Sequence, residues 1–390
     1  MFQKMKNKRL SSIKSFLTKR RFIEILSALI VIGAITIITT IVTPFHPISD
    51  KGLFSDDSTN PSTFYRAKVI ESHQDSLKVS VIDGDRKGQI TDILYNRSPK
   101  AEKPKPDSVV IITDSNTLNT FSFVDTFRIP ALIILLALFV ILVLFVGRRR
   151  GATSLIGLAT SVIVVGWFII PLIIAGASAF WVCIAGAYII AFSSLIIAHG
   201  RKTRTYVSLA CVSILLLIVA IASQIAVSLL GLSGINDETT SYISSTLPNL
   251  DISGILAGGI IIASLGVLDD IVTAQVATVD ELSKANHKLS VKELYSRAAS
   301  VGGEHIASLV NTLALVYVGA ALPVIISLSS YAQNFIMLLN SEYIVTEIVR
   351  TIIASMGLVL AVPVSTYIAS RVFNKKIRAL QRSQKPAQGS

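Results

Sequence analysis

Residues 260–279 read Ile260-Ile-Ile-Ala-Ser-Leu-Gly-Val-Leu-Asp-Asp-Ile-Val-Thr-Ala-Gln-Val-Ala-Thr-Val279, a largely apolar run interrupted by two adjacent carboxylates, Asp269 and Asp270. A helix rises ~1.5 Å per residue, so a run of this length is what a ~30 Å hydrocarbon core demands. The competing reading ends the span at Leu268 and leaves both aspartates at the membrane interface. From Gly254 that span is short for a full crossing. The continuation Ile271, Val272, Ala274, Val276, Ala277 and Val279 also favours embedding. A charged side chain at the centre of a membrane helix costs roughly 2.5–3.5 kcal/mol, which makes the pair a candidate for function.

Working outward, the same pattern recurs along the chain. Of the 390 residues, 52% are hydrophobic and 15% charged, against about 25% charged in a soluble domain. Apolar runs of spanning length are expected at about 23–43, 129–146, 152–174, 177–198, 205–230, 254–279, 306–328 and 344–369. Backbone groups in lipid must be satisfied internally, so each is read as a helix. The expected fold is therefore an all-α membrane bundle of about eight transmembrane helices. The first run lacks a clear cleavage site and reads as an uncleaved signal anchor.

The net charge of +12 is not a nucleic-acid signal, because of where the basic residues stand. Residues 1–22 carry eight Lys/Arg and no acid, and residues 371–390 carry six and no acid. Arg148-Arg149-Arg150, Arg201-Lys202-Arg204 and the Lys284–Arg297 segment are the other basic clusters. The intervening loops 175–176, 231–253 and 329–343 contain no Lys or Arg. Eight alternating spans put every basic cluster on one side, which the positive-inside rule makes cytoplasmic, with both termini. The expected location is a bacterial plasma membrane.

One sizeable segment, 44–128, is left on the opposite side. It is nearly neutral, with eleven basic and twelve acidic residues. Leu77, Val79 and Val81 alternate with polar neighbours, as in a half-buried strand. Asp83-Gly84 supplies a turn, Gly88–Leu94 a returning strand and Val109–Thr113 another. A small extracytoplasmic β domain of barrel type is expected. With few aromatics and no basic stripe, it is not expected to bind nucleic acid. The domain plan is a basic N-terminus (1–22), an anchor (23–43), the β domain (44–128), a seven-helix membrane domain (129–370) and a basic tail (371–390).

Within the membrane domain, residues 280–303 read as a cytoplasmic amphipathic segment. Ser290-Val-Lys-Glu293 is a capping box, opening a short helix Val291–Ser300 that ends at Gly302-Gly303. Glu347 and Arg350 stand three residues apart in the last span and can neutralise each other; Arg350 is alternatively a counter-charge for Asp269 or Asp270. Gln224 and Asn311 are candidate buried polar groups for interhelical hydrogen bonding. Gly254, Gly258 and Gly259 offer close helix packing, and Pro323 and Pro363 are candidate kinks. Cys183 and Cys211 sit in apolar runs, and the five histidines are scattered, so no disulfide, metal or cofactor is assigned. No P-loop, hydrolase elbow or dinucleotide-binding glycine pattern is present, and an enzyme is not expected.

The segment Gly266–Leu282, the helix Leu289-Ser-Val-Lys-Glu-Leu-Tyr295 and Asn311-Thr-Leu-Ala-Leu315 resemble the YibE/F-like family of bacterial multi-pass membrane proteins. Glu347-Ile-Val-Arg350, running through Gly357 to Pro363, looks like the same pattern. The anchor and the small outer β domain fit it as well. The resemblance implies a membrane protein but no reaction and no proven catalytic residue. A more distant likeness joins Gly266–Val272, the basic amphipathic helix and the following span to the proton-relay region of RND permeases and the SecD/SecF group. That likeness implies that Asp269 and Asp270 are proton-translocating carboxylates. The tiny outer domain and the single set of spans depart from those proteins, although a homodimer would restore a two-fold arrangement.

Two functional expectations follow. The first is a proton-coupled transporter or permease for an unknown small molecule or ion, with the aspartates as the relay. The alternative is a non-transporting scaffold or sensor that works through its extracytoplasmic domain.

Overall fold

A computed structural model describes residues 64–73, 75–95, 102–115, 120–331 and 334–384. The basic N-terminus and the anchor expected at 23–43 lie outside them. The described residues fall into two compact units, one reaching Arg148 and the other beginning at Arg149.

The first unit contains a five-stranded antiparallel sheet: β1 (Phe64–Ser72), β2 (Ser76–Val81), β3 (Ile90–Leu94), β4 (Val109–Ser115) and β5 (Thr120–Thr126), in the order β3-β2-β1-β4-β5. Tyr65, Ala67 and Val69 on β1 and Leu77, Val79 and Val81 on β2 all turn to one face and are buried. With Ile93, Val110, Ile112 and Phe121 they form a core of the unit's own. Irregular register between Val69 and Glu71 and between Ile111 and Ile112 bends the sheet. Curling brings β3 and β5 against each other without hydrogen bonds between them. The expected barrel is thus a half-barrel. Side chains span its open edge, where Tyr95 meets Phe123 with ring centroids 5.0 Å apart and Arg86 Nη2 lies 2.7 Å from Asp114 Oδ2. The turn after β2 is fixed by Asp83, which accepts from the Arg66 backbone N–H (2.7 Å) and Nε (2.6 Å). Gly84 follows at φ 77°, and a Cβ there would stand 2.7 Å from the Tyr65 ring.

The helices are α1 (Ile129–Val164), a π-helical turn (Val165–Ile169), α2 (Ile170–Ile174), α3 (Ala179–His199), α4 (Thr203–Leu230), α5 (Glu238–Thr246), α6 (Ile252–Ala285), α7 (Val291–Tyr331), α8 (Phe335–Leu339) and α9 (Glu342–Gln384). Six helical stretches among the described residues are long and apolar enough to cross a membrane. They carry seven of the eight expected spans, because 129–146 and 152–174 share the continuous stretch Ile129–Ile174. At ~1.5 Å per residue that stretch is more than twice the hydrocarbon thickness. It is broken at Arg148, whose φ of 49° and ψ of −123° are not helical, in the middle of the Arg-Arg-Arg cluster.

In the second unit α6 is the central helix, packed against α3, α4, α7 and α9. Its small residues permit this. A Cβ at Gly258 would collide with Cys183 on α3, whereas Gly259 faces open space. Gly357 on α9 likewise lies against Val219 of α4 and Leu268 of α6. At one end of the bundle Asp251 caps α6 by accepting from the Gly254 N–H (2.8 Å), and Glu342 accepts from Ser233 Oγ (2.9 Å) and Gly234 N (2.8 Å).

The segment after α6 differs from the expected short amphipathic helix. The capping box is present, with Ser290 N donating to Glu293 Oε2 (2.8 Å) and Glu293 N donating to Ser290 Oγ (3.2 Å). The helix it opens, however, continues unbroken through Gly302-Gly303 to Tyr331. Gly302 serves packing instead of termination, since a Cβ would stand 2.5 Å from Val362 and 2.9 Å from Gln275. The last helix likewise continues past the expected boundary at residue 370, to Gln384.

Candidate functional site

Asp269 and Asp270 line a cavity of about 830 Å³ at the end of the bundle where α3 stops and α4 starts. Four elements wall it. From α1 come Arg149, Arg150, Thr153 and Ser154; from the end of α3, Ser194 and His199. Lys202, Arg204, Thr205 and Ser208 come from the start of α4, and Thr273 joins the aspartates from α6.

Local sequence explains this gathering. Gly200 (φ 70°) ends α3, and Lys202, in extended conformation, precedes α4, so the basic connection turns sharply over the cavity. Gly157 on α1 packs against Ser194, with an added Cβ 3.5 Å from the Ser194 hydroxyl. Consecutive helical residues point ~100° apart, and the two carboxyls accordingly differ. Asp269 is half-buried and its Oδ2 accepts from Ser194 Oγ at 3.3 Å, while its buried Oδ1 has no partner among the described residues. Asp270 is exposed to the cavity. Ser194 stands five residues before the end of α3, about 7.5 Å along its axis. The pair therefore sits near one end of the bundle, at the wall of a polar recess.

The cavity is cationic despite its aspartates. Arg149, Arg150, Lys202 and Arg204 outnumber the two carboxyls, and His199 adds a titratable ring. Arg204 also approaches Glu281, with Nη1 3.9 Å from Oε1. These basic residues mark topology in the sequence, and nothing in their spacing shows that they meet Asp269 and Asp270.

The remaining sequence candidates separate. Glu347 and Arg350 form the expected ion pair, Nη1 to Oε1 at 3.0 Å, both half-buried. They lie beside an apolar cleft with Tyr317 and Thr351, and Arg350 does not line the aspartate cavity. Gln224 and Asn311 are exposed, contrary to the expected burial. Ser223, one residue from Gln224, holds the inward face instead, with its hydroxyl 3.1 Å from Ala220 O. A buried polar residue that ties several helices is Gln275, unassigned by the sequence reading. Its Nε2 donates to Ala298 O on α7 (2.8 Å) and to Thr366 Oγ1 on α9 (2.7 Å).

Long apolar helices around a polar, charge-lined recess define a multi-pass membrane protein. The chain belongs to the YibE/F-like family, whose model matches residues 135–375, from α1 into α9. The match includes the whole cavity and leaves out the half-barrel. No curated protein and no solved structure matches the chain.

Proposed function

We propose that this protein is a proton-coupled transporter or permease of the bacterial plasma membrane, with Asp269 and Asp270 as its proton carriers and the cavity as its substrate vestibule. The observation that carries this reading is the placement of both carboxyls in one polar recess on the central helix of the bundle. A carrier must exchange protons with water and also be closed off from it. Asp270 is exposed to the recess, while Asp269 is tucked against Ser194 with an oxygen that no donor among the described residues satisfies. That free oxygen is the atom a proton or cation would occupy. The basic residues around the recess support a cytoplasmic opening by the positive-inside rule. Glu347 and Arg350 pair with each other and do not line the recess.

The test is rescue of a deletion strain across ion, pH and toxic-compound stresses. Wild type and an Asp269→Asn/Asp270→Asn double variant are compared at matched membrane levels. Rescue by wild type alone is expected, and the stress relieved names the substrate class. Equal rescue by both would make the carboxyls structural. Removal of residues 47–126 would then be the decisive variant, because a scaffold or sensor working through the half-barrel loses function with that deletion.

A further inference from the structure

We infer that the cavity beside Asp269 and Asp270 is a binding site for an oxyanion, a phosphate or phosphate-bearing group, held by the basic start of α4. The inference rests on the proposed reading of this cavity as the vestibule, and names the chemistry of what enters it. Three independent observations converge on the same few residues.

The first is charge. Lys202, Arg204, Arg149 and Arg150 line one cavity, and Arg204 also approaches Glu281. A plain topological signal needs cations near the helix ends but does not need them around a common cavity. The second is the helix itself. α4 is 28 residues long, and Lys202, the residue before it, supplies no side-chain cap. The amide groups at a helix start and the positive end of the helix dipole favour an anion there. The third is Thr205. It is 2% exposed, it lines the cavity, and its Oγ1 has no partner among the described residues. A buried hydroxyl without a partner is costly unless something supplies one, and a phosphate oxygen is a matching acceptor. Ser208, one turn further on the same helix, is also buried and also lines the cavity.

The aspartates then acquire a second role. In their ionised form they repel an anion from the cavity, and neutralising them favours its entry. Proton and anion would thus load together, as co-transport requires. The same chemistry is offered by free phosphate and by the headgroup of an anionic lipid, and the experiment separates them.

The full-length protein is reconstituted in nanodiscs of phosphatidylcholine and its thermal unfolding followed against inorganic phosphate, with chloride at equal ionic strength as control. Phosphate is expected to raise the midpoint where chloride does not. Its apparent Kd should weaken roughly tenfold in Lys202→Gln/Arg204→Gln, by the loss of two nearby charges. Thr205→Val, close to isosteric, should weaken it several-fold, and Lys292→Gln, an exposed lysine outside the cavity, should leave it unchanged. In discs containing phosphatidylglycerol, a persisting phosphate response identifies a soluble ligand. Loss of that response, with lipid stabilisation that Lys202→Gln/Arg204→Gln abolishes, identifies a headgroup. Phosphate acting no differently from chloride in wild type, with lipid stabilisation equal in wild type and variant, would overturn the inference. The Asp269→Asn/Asp270→Asn variant keeps the two claims apart, since it should bind phosphate about tenfold tighter. Tighter binding with undiminished rescue would remove the proton-carrier role alone. Lost rescue with no phosphate response in any form would remove the oxyanion alone.

Discussion

Gln275 concentrates much of what holds the bundle together in one side chain. It is 1% exposed, and its amide nitrogen ties α6 to α7 through Ala298 O and to α9 through Thr366 Oγ1. Leucine fills a similar volume but donates nothing, so Gln275→Leu removes the donor shared by a buried carbonyl and a buried hydroxyl. The expected cost is about 1–3 kcal/mol, seen as a lower unfolding midpoint of the purified protein. Ala274→Leu, one residue away on the exposed side of the same helix, should leave the midpoint almost unchanged. Equal midpoints for Gln275→Leu and wild type would mean that water or a relaxed neighbour satisfies both groups. This residue also shows what a sequence withholds. Gln275 stands in the stretch that reveals the membrane span, yet its partners lie 23 and 91 residues further along. Gln224 and Asn311 were equally polar and equally placed within apolar runs, and both turned outward. Polarity in a span is legible; the face it occupies depends on helix rotation, which the near-uniform apolar surround of a membrane helix leaves undetermined.

At the level of elements, the glycines of α6 give the sharpest contrast. Gly258 meets Cys183 of α3, and Gly259 meets nothing within 4 Å. Gly258→Val must push α3 and α6 apart or bend one of them, and overpacking of this sort costs typically about 1–3 kcal/mol. Gly259→Ala should be neutral or slightly stabilising, because alanine is the better helix former. Unfolding midpoints of the two variants check this, and a similar loss in both would mean that glycine itself, not the α3 contact, matters on this helix. The elements were largely legible. The period of Leu77, Val79 and Val81 found β2, and long apolar runs found α3, α4, α6 and α9. β1 and β5 went unassigned although Tyr65, Ala67 and Val69 alternate with Arg66 and Lys68 in the same way. The join of the amphipathic segment to the next span was missed for a different reason. Gly302-Gly303 has the local signature of a helix end, but the close approach of Val362 and Gln275 requires a small residue inside a continuing helix. The site was half legible: the aspartates were found by their cost in a membrane, whereas the cations around them had already been explained by topology.

For the whole molecule that topology is the remaining question, since it decides which water the cavity meets. All four cavity cations sit in the two basic clusters that follow the Arg148 break and the end of α3. Loops 231–253 and 329–343, which hold α5 and α8 at the other ends of the helices, have no Lys or Arg. The positive-inside rule predicts that the cavity end faces the cytoplasm, and fusions test that prediction. Alkaline phosphatase, active only outside the cytoplasm, should be active when fused after Phe127 and inactive when fused after Arg204. A fluorescent protein that matures only in the cytoplasm should be bright at the C-terminus of the full chain. The reverse pattern would place Asp269 and Asp270 at the outer face. Protons would then load from the more acidic side of an energised membrane, and an oxyanion in the same cavity would be a nutrient on its way in. With the expected pattern the cavity opens toward the cytoplasm, and on the proposed reading a phosphate-bearing group would be released there beside the deprotonating pair or picked up for export.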